Sequence, residues 1–180
     1  MPPAVQLQIY PSRVLRQKAK PVEAVNDDVR SVIEQMFEIM DEEEGIGLAA
    51  PQVGLSWRLF VLDVPENPKR GSLATSSPPS ASPGRMVFIN PVLRFEGAVE
   101  PMEEGCLSLP EIAGDVLRPP IVHVSALDEN GKPFSLTAAG LLSRCIQHET
   151  DHLDGVLIID KMTQPARVKN RLAVKKLERD

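Results

Sequence analysis

The chain has 180 residues, 42% of them hydrophobic, which is enough for one domain with a substantial core and too little to suggest two. A formal net charge of −5 with a pI near 5.3 argues against general nucleic-acid binding. No apolar run approaches the roughly 20 residues that a bilayer span needs, and MPPAVQLQIYPSR lacks the charged and apolar regions of a secretion signal, so a cytoplasmic protein is expected.

In chain order, residues 26–43 (NDDVRSVIEQMFEIMDEE) place Val29, Val32, Ile33, Met36, Phe37 and Met40 at helical spacing behind an Asn/Asp start. That pattern predicts an amphipathic helix whose methionines fill the core. WRLFVLDV (57–64), MVFINPVL (86–93), IVHVSALD (121–128) and KPFSLTA (132–138) read as strands, and the turn DENGK makes a hairpin of the last two. His123 alternates with apolar neighbours in one of these strands, so its expected role is structural. Between the first two strands, PENPKRGSLATSSPPSASPGR is too rich in Pro, Ser and Gly to build a core, and residues 65–85 are expected to form a flexible loop.

From Thr137 the sequence TAAGLLSRCIQHETDHLDG spaces Leu141, Leu142, Cys145, Ile146 and Leu153 closer to 3.6 than to 2, which predicts a helix with Thr137 as N-cap and Gly155 as stop. The final stretch, KMTQPARVKNRLAVKKLERD, predicts a basic C-terminal helix over 163–180 with Val168, Leu172, Ala173 and Leu177 as a packed stripe. No internal repeat is visible.

The chemistry is concentrated in His148-Glu149-Thr150-Asp151-His152, which holds two of the three histidines of the chain. On a helix, residues four apart share a face, so both imidazoles can close on one ion with Glu149 beside a bound water. A catalytic site of this type needs a third protein ligand. The peptidases of the long H-E-x-x-H-x-x-G-x-x-H kind would supply a histidine at 158, where this chain has Ile. With His123 inside a strand pattern, a cysteine or a carboxylate must serve. Cys145 lies roughly 7 to 8 Å along the axis from an ion held between the histidines, given a rise of about 1.5 Å per residue, beyond the reach of a cysteine side chain. It reads as a small buried residue. Cys106, in EEGCLSLP, sits between a flexible Gly105 and a strand-ending Pro110, a setting that presents a thiolate.

Three motifs occur in order: GIGLAAPQVG (45–54), EGCLSLP (104–110) and QHETDHLDG (147–155). With them the chain resembles peptide deformylase, the family that removes the formyl group from the initiator methionine of new bacterial and organellar proteins. The similarity runs from the N-terminal helix through the hairpin and leaves mainly the Ser/Pro-rich loop as an insertion. The reading is a single α+β domain over residues 1–180, with short antiparallel strands around a central helix carrying H-E-x-x-H and helices near both termini.

The resemblance implies a metal-dependent hydrolase with one divalent ion per chain held by Cys106, His148 and His152. Fe²⁺ is implied as the cellular ion, with Zn²⁺ or Ni²⁺ as alternatives. It further implies that Glu149 is general base and acid for the ion's water, and that the Gln52 amide and the Leu107 N–H stabilise the developing oxyanion. Ile46, Gly47 and Gly105 would bind the peptide backbone, while Leu141, Arg144 and the flank of His148 would line the methionine pocket. The implied partners are a formyl-Met nascent peptide and the ribosome near its exit tunnel, without a membrane or a specific nucleic-acid sequence. The implied compartment is a bacterial cytoplasm or an organellar stroma or matrix. One departure is visible: many members carry a basic residue just after the cysteine motif, but EIAGDV (111–116) has none before Arg118.

Overall fold

In the computed structural model, which describes all 180 residues, β2 (Leu59–Leu62) is buried at every position and divides the core between two layers. Phe60 and Leu62 face one side, and Leu59 and Val61 the other. Around it, β1 (Gly47–Ala49), β3 (Met86–Glu96), β6 (Ile121–Leu127) and β7 (Pro133–Ala138) complete a five-stranded antiparallel sheet in the order β1-β2-β3-β6-β7. β4 (Glu100–Cys106) and β5 (Leu109–Arg118) form a separate two-stranded ribbon. β6 and β7 are joined by the expected turn, in which the Asp128 carboxylate accepts from the Asn130 and Lys132 amides and Gly131 takes φ +75.

Helix α1 (Asp27–Glu42) lies on one face of the sheet, capped by the Asn26 side chain, which accepts from the Val29 N–H at 3.0 Å. Its Val32, Ile33, Met36 and Met40 pack against Leu59, Val61, Val87 and Ile89. Helix α2 (Gly140–Leu153) covers the opposite face, where Leu142, Ile146 and Leu153 meet Phe60, Phe88 and Val124. Ten of its fourteen residues are buried, because the β4–β5 ribbon covers its far side. α2 is therefore the central element between sheet and ribbon. The short α3 (Ile158–Lys161) and α4 (Gln164–Leu177) close a third core over the ribbon, with Leu15, Leu109, Ile112, Val116 and Met162. No helix is long and apolar enough to cross a membrane.

Two sequence expectations are corrected here. Thr137 is not the cap of α2; it lies in β7 opposite His123, and its hydroxyl meets His123 Nδ1 at 2.9 Å. The helix begins at Gly140 with Ala139 at the cap position, and no side chain caps it. The stripe on α4 is also shifted: Val168 and Leu172 are 66% and 81% exposed, while Ala166, Ala173, Val174 and Leu177 face the core. Asn170 sets this rotation by donating to the Ala113 and Ala166 carbonyls from a buried position. Gly114 makes room, since a Cβ there would stand 2.8 Å from that of Ala166. In the Ser/Pro-rich segment, Ser72, Ser80 and Ser82 are buried; the Ser82 hydroxyl accepts from the Val64 N–H at 2.8 Å and the Ser80 carbonyl from the Leu142 N–H at 3.1 Å, while the Ser80 hydroxyl bonds Leu73 within the segment.

Candidate metal centre

The site forms where α2 meets the end of β4. Cys106 closes β4 at a break in the ribbon's register and brings its Sγ to 3.4 Å from His152 Nε2. The two histidines, one turn apart on α2, bring their Nε2 atoms to 3.2 Å, with ring planes at 64°. The three donor atoms lie within 4.8 Å of one another. Cys145 is outside this cluster: it is buried, with its thiol turned to the Ile46 carbonyl at 3.7 Å.

Electrostatics favour a cation there. His148 Nδ1 stands 3.0 Å from Glu104 Oε1, so its Nδ1–H is directed at the carboxylate and Nε2 is turned to the cluster. Burial opposes charge on His148, yet Cys106, Glu104 and Glu149 raise its pKa well above the ordinary imidazole range. His152 is pushed well below that range by burial and by His148. Sulfur with two imidazoles is a donor set suited to a divalent transition metal.

Glu149 is 4% exposed, with its Oε1 4.0 Å from His148 Nε2 and its Oε2 buried without any partner. Burial raises its pKa to about 7, against the opposing pull of His148 and Arg118. Gln52 is buried in the 3-10 turn Ala50–Val53. Its Oε1 accepts from the Ala49 N–H at 2.9 Å, fixing the turn, while its Nε2 faces Ser108 Oγ at 3.2 Å and Cys106 Sγ at 3.6 Å. The turn-stabilising role and a donor aimed at the cluster coexist in one amide.

Above the cluster opens a cleft of about 570 Å³ between the β1 edge and the ribbon. Ile46, Gly47, Gln52, Gly105, Cys106, Leu107, Leu141, Arg144, His148 and Glu149 all border it, while His152 lies beneath. Its walls approach closely. A Cβ at Gly45 would stand 2.9 Å from Leu107 Cδ1, and one at Gly47 would stand 2.8 Å from both Cys145 Sγ and Glu149 Oε1.

Sequence reasoning missed the support behind these residues. Arg118, 1% exposed, holds Glu104 through two hydrogen bonds of 2.6 and 2.9 Å and reaches Asp151 at 2.8 Å. Arg144 borders the cleft but spends its guanidinium on Glu104 and on the Glu100 and Val116 carbonyls. Burial alone would raise the pKa of Glu104, but its bonds to His148 and Arg118 hold it at about 2. It is an anion that orients His148. Its one sequence signal was its place two residues before Cys106.

The family model described as polypeptide deformylase matches residues 4–168. The peptide deformylase of Picosynechococcus sp. is 45% identical over 174 residues, covering 96% of this chain and 83% of its own. The crystal structure of a peptide deformylase from Synechococcus elongatus in complex with actinonin superposes with a TM-score of 0.82 at 43% identity, covering 98% of this chain and 87% of that one. A Plasmodium falciparum peptide deformylase with an inhibitor gives 0.82 at 38% identity, covering 97% and 100%.

Proposed function

The chain belongs to the polypeptide deformylase family, and from that premise we propose that it hydrolyses N-formylmethionyl nascent peptides to formate and a free amino terminus. The observation that carries the reading is the convergence of Cys106 Sγ, His148 Nε2 and His152 Nε2 beside the unpartnered Glu149 carboxylate. These three residues would hold one divalent ion, with Fe²⁺ as the cellular ion and Zn²⁺ or Ni²⁺ able to replace it. Such an ion supplies Lewis acidity, lowering the pKa of a water and polarising the formyl carbonyl.

The rest is done by the chain's own side chains. Glu149 takes a proton from the attacking water and delivers it to the leaving amine nitrogen. Its burial, which opposes the charged form, favours a carboxyl that can both take up a proton and release it. As the formyl oxygen gains negative charge, Gln52 Nε2 and the Leu107 backbone N–H donate to it from fixed positions. Glu104 holds the His148 ring in orientation. The peptide lies extended between the open edge of β1 and the ribbon, where Ile46, Gly47 and Gly105 contact its backbone by strand addition. Its methionine enters the wall formed by Leu141, Arg144 and the flank of His148.

A cytoplasmic or organellar compartment holding ribosomes would supply such substrates, and α4 offers a surface toward them with Arg167, Lys169, Arg171, Lys175 and Lys176. The direct test is formate release from a formyl-Met peptide by anaerobically prepared protein with its metal content measured. The expected result is about one ion per chain and formate equimolar with new amino termini. Turnover surviving complete metal removal would refute it.

A further inference from the structure

We infer that Arg70 is a substrate-positioning residue that reads the charge of the third residue of a bound formyl-Met peptide. This rests on the deformylase reading above. Only two cationic arginines border the cleft, Arg70 and Arg144, and Arg144 is committed to Glu104 and to two backbone carbonyls. Arg70 is exposed and forms no ion pair. The carboxylates on the rim, Glu44, Glu103 and Glu111, are exposed as well. Arg70 is thus the one uncommitted positive charge in a cleft whose rim is otherwise acidic.

Its position is fixed by the Ser/Pro-rich segment. Pro68–Arg70 form a 3-10 turn closed by Gly71 at φ +69. Asn67 and Ser72 exchange backbone hydrogen bonds of 2.8 and 3.1 Å beneath it, with Ser72 fully buried. The Gly71 carbonyl accepts from the Leu141 N–H at 3.3 Å. Arg70 is therefore held, by its own neighbour, against the wall that receives the methionine. In an extended peptide, side chains two apart point to the same side and lie about 6.6 Å from each other along the chain. With the methionine turned to Leu141, the third residue faces the same wall and the second faces away. A carboxylate at position three meets the guanidinium, whereas an ammonium there meets only repulsion from it.

The test compares formyl-Met-Ala-X-Ser peptides with X as Glu, Gln or Lys, and the same exchange at position two, in wild-type, Arg70→Met, Arg70→Lys and Lys69→Met proteins. Any preference imposed by the rim glutamates is common to all four, so the change in the Glu-over-Lys ratio of kcat/KM isolates Arg70. In Arg70→Met that ratio should fall by about two- to fivefold, the scale of an exposed ion pair. The change should lie in KM, and it should disappear at about 1 M salt, where screening acts within roughly 3 Å. Arg70→Lys should retain part of the ratio, and Lys69→Met, outside the cleft, should retain all of it. An unchanged ratio in Arg70→Met, or a change confined to position two, overturns the inference while leaving the deformylase reading intact. Failure of the wild type to release formate from the Gln peptide would instead strike that reading, and this inference with it.

Discussion

Glu149 is a carboxylate with an unused oxygen in a buried pocket, and Gly47 is the residue whose missing side chain lets the β1 edge approach it. Glu149→Gln keeps the shape and removes the proton acceptor, so turnover should fall by roughly 10²- to 10⁴-fold while metal content and melting temperature stay close to wild type. Near-normal formate release by a metal-replete Glu149→Gln protein would remove this residue from the chemistry. Glu104→Gln tests the residue behind the ligand. Losing the charge that orients His148 should weaken metal binding by about 10- to 100-fold in a chelator competition, the usual scale for such supporting groups. Equal affinity would reduce Glu104 to an ion-pair partner of Arg118. Cys106, His148, Glu149 and Gln52 could be read from the sequence because each lies in a short motif. Arg118 could not: its partners lie 14 residues back on β4 and 33 residues on in α2, a proximity created only by the ribbon folding over the helix.

At the level of elements, the coupling between the 65–85 segment and α2 is the main feature that sequence patterns left hidden. Helix N-termini leave amides unpaired, and a side-chain cap was expected from Thr137. Instead the Leu141 and Leu142 N–H groups donate to the carbonyls of Gly71 and Ser80 at 3.3 and 3.1 Å, and the Ala139 N–H to Pro79 at 3.0 Å. Backbone carbonyls carry no residue-type signal, so a cap made of them is invisible in composition. Gly140 permits it, with φ +52 and no room for a Cβ, which would stand 2.5 Å from the Gly71 oxygen. Gly140→Ala should therefore cost about 1 to 3 kcal/mol or more, measured by denaturant unfolding. Activity should drop beyond what the lost folded fraction explains, because the helix that presents both histidines would shift at its start. Unaltered stability would show the contact to be slack. The β4–β5 ribbon escaped notice for a related reason: EPMEEGC alternates half-buried with exposed positions and has almost no apolar face of its own. Four strands of the five-stranded sheet were legible, β2 as the apolar run LFVL that is buried on both sides and β6 by its alternation, whereas the three-residue β1 is too short to show a pattern.

For the molecule as a whole, one face processes the peptide and another could meet its source. α4 packs through Ala166, Asn170, Ala173 and Leu177, which leaves Val168 and Leu172 outward among five lysines and arginines. If this surface docks on ribosomal RNA, cosedimentation with ribosomes should weaken steeply with salt and fall when Arg167, Lys169 and Arg171 are replaced by Gln. Binding unchanged by those replacements would make α4 an ordinary solvated helix. The cleft is bordered by two loops that approach closely, since a Cβ at Gly45 would stand 2.9 Å from Leu107 Cδ1. A formyl carbonyl carries only hydrogen on its far side, an acetyl adds a methyl, and an internal peptide bond adds a chain. Since misplacement near 1 Å can cost on the order of a hundredfold in rate, the metal-loaded protein should release formate from a formyl-Met peptide and leave the acetyl-Met and unblocked peptides of the same sequence uncut. Comparable hydrolysis of the acetyl-Met peptide, or any metal-dependent cut at an internal bond, would contradict the deformylase assignment and make the site a peptidase centre.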